Sequence, residues 1–196
     1  MSAAGYSANK GSVWEKIVQT AKEKRPVLYR DPEKSYAPHI HAQIYQRSTE
    51  RVVLVVDELD GSIMHRAPEE IMNSVMSALD RGVEFRTVLT ANRRGDPNVV
   101  SFFKELVART PELFKVFRAS PELLTDLNLV KNGVRQGDFQ YLVGDGKHYC
   151  IEDRYDVGET RKVQYTYGFS DPVIGAKLMT IYERNRPTLE KLPLIF

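Results

Sequence analysis

Asp138, Gln140 and Asp145 fall at the first, third and eighth places of one segment of this 196-residue chain, inside Gly137 to Asp153. Phe139 to Val143 is apolar and β-prone, Gly144-Asp145-Gly146 is turn chemistry, and Lys147 to Ile151 returns, so the segment reads as a β-hairpin. Two residues apart on a strand, Asp138 and Gln140 point to the same face, while Asp145 lies at the turn. The three are either the polar lining of a ligand pocket or ordinary hairpin residues, with Asp145 a turn former. A second set is basic. His65 and Arg66 lie on the loop after the first parallel strand, and Asn92-Arg93-Arg94-Gly95 follows the second. Loops at the carboxyl ends of parallel strands form the usual site edge. Arg109, Lys115, Arg118, Lys131 and Arg135 come within the next forty residues or so. If Arg93, Arg94, Lys131 and Arg135 converge, they bind a phosphate backbone, with Tyr141, Tyr165 and Tyr167 as stacking partners.

The other chemistry-bearing residues read as structural. His39-x-His41 has the look of a metal pair, but residues two apart on a helix do not face one another. A metal site needs three or four convergent ligands, so no metal or other cofactor is expected. His148 is expected to be a cross-strand surface residue and Cys150 a buried strand residue. There is no Walker loop, no Gly-x-Gly-x-x-Gly and no helix-turn-helix signature.

The elements that must position these residues follow from patterning. Residues 1–12 are small and polar and read as a disordered tail. Val13 to Lys24 reads as a helix, and Val27 to Arg30 as a short edge strand. Residues 13–35 thus form a helix and linker ahead of a domain over 36–196. Tyr36 to Arg47 is helical from Pro38. Val52 to Val56 is a β-branched run that suits a strand buried on both faces. Pro68-Glu69-Glu70 opens a helix that Gly82 ends, and Val83 to Thr90 is the next strand, giving a right-handed βαβ unit. The pattern repeats through the Asp96-Pro97 cap, the stripe Val99, Phe102, Phe103, Leu106 and Val107, and a strand over Leu113 to Arg118. A short helix or turn runs through Leu127, and Lys131 to Gly137 is a loop. After the hairpin come a loop over 156–159, a strand over Arg161 to Tyr167, and a helix from Asp171-Pro172 that Pro187 ends. The sum is α/β, a mixed sheet of parallel βαβ units and a C-terminal antiparallel hairpin, flanked by helices.

This frame resembles the phospholipase D superfamily, whose motif His-x-Lys-x-x-x-x-Asp occupies such a strand and turn. Here it reads Asp138-x-Gln140-x-x-x-x-Asp145, followed by Gly146, a further strand, Phe169-Ser170-Asp171-Pro172 and a terminal helix. The resemblance covers roughly Tyr36 to Arg186. It implies a catalytically degenerate member. The family's nucleophilic His is replaced by Asp138, which is anionic and repels a phosphodiester, and its phosphate-binding Lys by Gln140, which carries no charge. One motif per chain also implies a homodimer.

Composition sets the outer bounds. Net charge is +2, the pI is about 8.6 and 42% of residues are hydrophobic, ordinary for a soluble domain and permissive toward nucleic acid. A single cysteine excludes an intramolecular disulfide. The opening residues lack a basic flank and an apolar core, so a cytoplasmic protein without a membrane span is expected. The expected function is an inactive phospholipase D-like binding or regulatory module for an anionic, phosphate-bearing ligand such as nucleic acid. Its ligand set is Asp138, Gln140, Asp145, His65 and Arg66. Two alternatives stand beside it. One is an active nuclease or phosphodiesterase with displaced groups at His65 or His148. The other is an accessory protein that blocks a partner machine, docking through the apolar tail Leu192-Pro193-Leu194-Ile195-Phe196.

Overall fold

The computed structural model describes residues 29–31, 36–59, 64, 67–91, 95–130, 139–157 and 160–196, together with Glu15, Gln19, Lys22 and Glu23. The expected tail 1–12 and most of the expected helix over 13–24 lie outside them. Seven described strands form one sheet: β1 (Tyr29–Asp31), β2 (Arg51–Val56), β3 (Glu84–Leu89), β4 (Phe114–Arg118), β5 (Phe139–Gly144), β6 (His148–Val157) and β7 (Thr160–Gly168). Their order is β1-β7-β6-β5-β2-β3-β4. Five described helices connect and cover them: α1 (Ala37–Arg47), α2 (Pro68–Asp80), α3 (Pro97–Arg109), α4 (Pro121–Val130) and α5 (Pro172–Leu189).

The β-branched run of β2 suits its interior place in the sheet, between β5 and β3. β2, β3 and β4 are parallel through the α2 and α3 crossovers, and β5 joins β2 antiparallel. Antiparallel pairing then continues through β6, β7 and β1. Alternation along the strands loads both faces. Val52, Phe85, Phe114, Leu142, Cys150 and Tyr167 pack with the apolar stripes of α1, α2 and α3. Val53, Val55, Phe117, Tyr141, Val143 and Tyr149 pack with α4 and α5. Both cores are rich in aromatic side chains, and the fold is the expected α/β mixed sheet with helices on both faces.

Helix starts follow the local signals. The Asp96 carboxylate accepts from the Asn98 and Val99 amides, and Asp171 does the same for Val173 and Ile174. Helix ends follow tertiary contacts instead. α5 runs through Pro187, which was expected to stop it. The ring falls in the last turns, where few backbone bonds are lost. Arg186 pairs with Glu183 and Glu190 across it, and Leu189 is fully buried beyond it. α4 likewise extends past Leu127 to Val130. Strand pairing between β6 and β7 continues to Val157 and Thr160, so Asp156 and Val157 are strand rather than the expected loop. The C-terminal tail packs back: the Ile195 amide donates to the Val116 carbonyl on the edge strand β4, and Ile195 and Phe196 lie against the core.

Candidate functional site

Antiparallel register builds a polar row at the carboxyl end of β2. Gln140 stands opposite Glu152, and Glu152 opposite Tyr165, so the three share the face toward α1–α3. Arg154, two residues along β6, shares that face. Asp57, directly after β2, completes the group. The Gln140 amide donates to Asp57 Oδ1 at 2.7 Å. Arg154 donates to Asp57 Oδ2 at 2.9 Å and, through Nε, to Glu152 Oε1 at 2.6 Å. The Tyr165 hydroxyl donates to Glu152 Oε2 at 2.6 Å. Asp57 and Glu152 are buried, and the Arg154 side chain is 19% exposed. Burial opposes the Arg154 charge, but Glu152 and Asp57 outweigh it and hold the guanidinium above its ordinary range. Burial, then the Glu152 carboxylate, hold the Tyr165 phenol protonated, as its donor role requires.

The group therefore sets two carboxylates against one guanidinium, and that guanidinium is bonded to both. His41 on α1 lies over the same end of the sheet, beside Gln140 and Glu152. Burial lowers its pKa to about 4, so it is a neutral imidazole at physiological pH. The Tyr45 hydroxyl lies 3.5 Å from its Nδ1.

Asp145 sits at the other end of β5 and its bonds are of another kind. One oxygen accepts from the Thr49 amide at 2.8 Å and the Thr49 hydroxyl at 3.0 Å. The other accepts from the Glu50 and Arg51 amides, both at 3.0 Å. Burial raises the carboxyl, but these donors outweigh it and hold it below the usual carboxylate range. The turn that delivers it has positive φ at Asp145 (50°) and Gly146 (64°), the mirror-image turn that closes tight hairpins. Gly175 of α5 crosses against it, where a Cβ would lie 2.5 Å from the Gly146 carbonyl oxygen. Gln140 and Asp145 thus lie at opposite ends of one strand.

Of the other expected site residues, Asp138, His65, Arg66, Arg93, Arg94, Lys131 and Arg135 lie outside the described residues. Arg109 and Arg118 are exposed, and Lys115 is half-buried. Several expectations are corrected. His148 is buried rather than on the surface, because Phe169 and the chain at Ser170 close over it. Its Nδ1 accepts from the Ser170 amide at 3.2 Å, and burial, then Lys147, lowers its pKa to about 4. It also lies opposite Gly144, at the Asp145 end, away from Gln140. Tyr141, Tyr165 and Tyr167 are core residues, unavailable for base stacking. His39 bonds Glu70 at 2.6 Å while His41 points into the core, and no metal-binding cluster occurs among the described residues. Asp57, Glu152 and Arg154 were missed as site members. The available signal was a pair of opposite charges two apart on a strand, together with a carboxylate ending a buried β-branched run.

No protein-family model matches the sequence, and no curated protein does. Solved structures do resemble the fold. Nuc from Salmonella typhimurium, a phospholipase D family member, superposes with a TM-score of 0.55 at 8% identity, over 83% of this chain and 95% of that one. TrmBL2, an archaeal chromatin protein described as showing a novel mode of DNA binding, gives a TM-score of 0.52 at 13% identity. It covers 95% of this chain, and this chain spans 63% of it. A phosphatidylserine synthase from Haemophilus influenzae Rd KW20 gives 0.51 at 7% identity, over 80% of this chain and 36% of that one. The fold is phospholipase D-like. No helix among the described residues is long and apolar enough to cross a membrane.

Proposed function

We propose that this chain is a non-catalytic phospholipase D-like module that binds an anionic, phosphate-bearing ligand, with nucleic acid as the best candidate, through basic loops at the Gln140 end of the sheet. The observation that carries the first half is the Gln140 group. Where the family resemblance puts a phosphate-binding Lys, this chain has an amide committed to Asp57. Among the described residues the guanidinium beside it, Arg154, is held by two carboxylates. Such a floor repels a phosphoryl group instead of stabilising its developing charge. A displaced catalytic His148 is disfavoured by its place at the far end of β5, which leaves His65 as the residue on which an enzymatic reading rests.

Support for the second half is positional. β2 and β3 end at this edge and β5 begins there. The segments carrying His65 and Arg66, Arg93 and Arg94, and Lys131 and Arg135 connect to those ends. The fold is shared with a protein described as binding DNA. Asp145, bonded to backbone amides, is assigned to the fold and not to the ligand. A homodimer across this edge would double the basic rim.

A salt titration tests the reading. Fluorescence anisotropy with labelled single- and double-stranded DNA and RNA, with cleavage followed in the same samples, is expected to show micromolar binding without cleavage. Each phosphate contact steepens the log K against log salt slope by about 0.9 on duplex DNA. Arg93→Glu with Arg94→Glu is expected to flatten it. Cleavage that disappears with His65→Ala, or binding insensitive to salt, would overturn it. Light scattering during chromatography checks the dimer.

A further inference from the structure

β4 is the last strand of the sheet, so one side of its backbone has no strand neighbour. The Leu113 carbonyl and the Ala119 amide bond β3 at 2.6 and 2.9 Å, and alternation turns Lys115 and Phe117 the same way. Phe114, Val116 and Arg118 therefore aim their backbone groups outward, and such a row is a template for another chain. The C-terminal tail crosses that side. Leu189 is buried with the α4 and α5 face of the sheet, whereas Ile195 and Phe196 pack against the α1–α3 face, so the segment between them passes over the outer edge of β4. Among the described residues the tail is tied to this edge by one backbone bond, from the Ile195 amide to the Val116 carbonyl at 3.1 Å. The Phe196 ring anchors its end, with Lys104 Nζ 5.6 Å from the ring centroid. Pro193 and Leu194, just before this anchor, are exposed.

We propose that the tail is a removable guard on an interaction surface: once it lifts, the outer edge of β4 pairs antiparallel with β4 of a second copy of this chain. The strand is suited to its own copy. A two-fold axis through Val116 sets Val116 against Val116, Arg118 against Phe114 and Lys115 against Phe117, so no cation stands opposite another. In that register the outward groups of Phe114, Val116 and Arg118 are the ones that build the ladder. The axis is perpendicular to the sheet, so matching faces stay on the same side and one sheet runs through both molecules. While the tail is seated, Ile195 holds the Val116 carbonyl at the centre of this register and fills the place of the incoming strand. A segment held by one backbone bond and two side chains opens locally, without unfolding of the sheet beneath it.

This inference is independent of phosphate binding and of a dimer at the Gln140 end, which use other residues. The test compares the full chain with a chain ending at Leu192, which keeps the amide that bonds the Leu189 carbonyl. Light scattering during chromatography, across the micromolar range, is expected to give the shortened chain at least twice the mass of the full chain, falling on dilution. Arg118→Pro in the shortened chain removes an outward amide, leaves the bonds to β3 in place and is expected to restore the mass of the full chain. Hydrogen exchange locates the contact: the Val116 and Arg118 amides are expected to exchange more slowly in the shortened chain than in the full one. If the shortened chain does not fold, Ile195→Ser with Phe196→Ser unseats the tail at full length and is expected to give the same doubling. An unchanged mass in a folded tail variant, association that survives Arg118→Pro, or loss of the fold in both tail variants would each overturn the proposal.

Discussion

Gln140 and Asp145 occupy the two ends of β5, and their partners differ in kind. Around Gln140 the described hydrogen bonds run mainly between side chains, Asp57, Arg154, Glu152 and Tyr165, with one backbone amide, that of Glu58, donating to Asp57. Around Asp145 three of the four donors are backbone amides. The distinction has an energetic consequence. A side-chain network can be replaced as a whole by apolar groups, which removes donors and acceptors together. A clamp on backbone amides cannot, because the amides remain whatever replaces the carboxylate. The Asp145 end is therefore where the fold needs its polar group. The Gln140 end carries polarity that can be exchanged for apolar groups nearly as a whole, which the Asp145 end does not allow.

The largest way to sharpen this contrast is to break the network from the middle. Arg154→Ala leaves Asp57 and Glu152 buried without their cation and is expected to lower stability by about 3–5 kcal/mol in urea denaturation. A loss under 1 kcal/mol would mean that water already satisfies these carboxylates. Next in size is pH. His41 and His148, one at each end of β5, are both held neutral, with pKa values of about 4 against the ordinary 6.5. Between those values the unfolded chain binds protons that the folded chain does not, so stability falls as pH falls from about 6.5 to 4. His41 alone contributes on the order of 3 kcal/mol to that loss. His148→Asn keeps an acceptor for the Ser170 amide and is expected to reduce the slope of the urea midpoint against pH. A flat profile in the parent protein would contradict the buried, neutral assignment. Below this window Asp145 adds to the loss, since its depressed carboxyl holds stability that disappears on protonation.

Asp145→Ala comes third. It strands the Thr49, Glu50 and Arg51 amides at the start of β2 and is expected to lose about 2–3 kcal/mol while leaving ligand binding at the other end intact. If binding fell as steeply as with charge reversal at Arg93 and Arg94, the two ends would not be separable.

The sequence made the scaffold legible where the determinants are local. Asp96-Pro97 and Asp171-Pro172 announce their helices because cap and first turn are neighbours in the chain. The Asp145-Gly146 turn announces the hairpin for the same reason. The site was less legible because its members meet only through the sheet. Gln140 is 83 residues from Asp57, and Arg154 is 97. Glu152 and Arg154 alternate on β6, a spacing that also fits a solvated face. Pro187 misled because its neighbours Arg186 and Leu189 anchor the helix across it. His148 and Tyr165 misled because polar tips on large side chains read as surface until the register buries them. Of the motif frame, Gln140 is a network residue and Asp145 a clamp at opposite ends of β5, and Asp138 lies outside the described residues.

The most direct measurement is the stability of a protein in which Asp57, Gln140 and Glu152 become Leu, Arg154 becomes Met and Tyr165 becomes Phe, read by urea denaturation beside Arg154→Ala. The account predicts a cooperative transition within about 2 kcal/mol of the parent protein, above the single variant, because no buried charge is left unpaired and of the backbone donors only the part-buried Glu58 amide loses its acceptor. A loss as large as that of Arg154→Ala would contradict it, and would make the Gln140 end as structural as the Asp145 clamp.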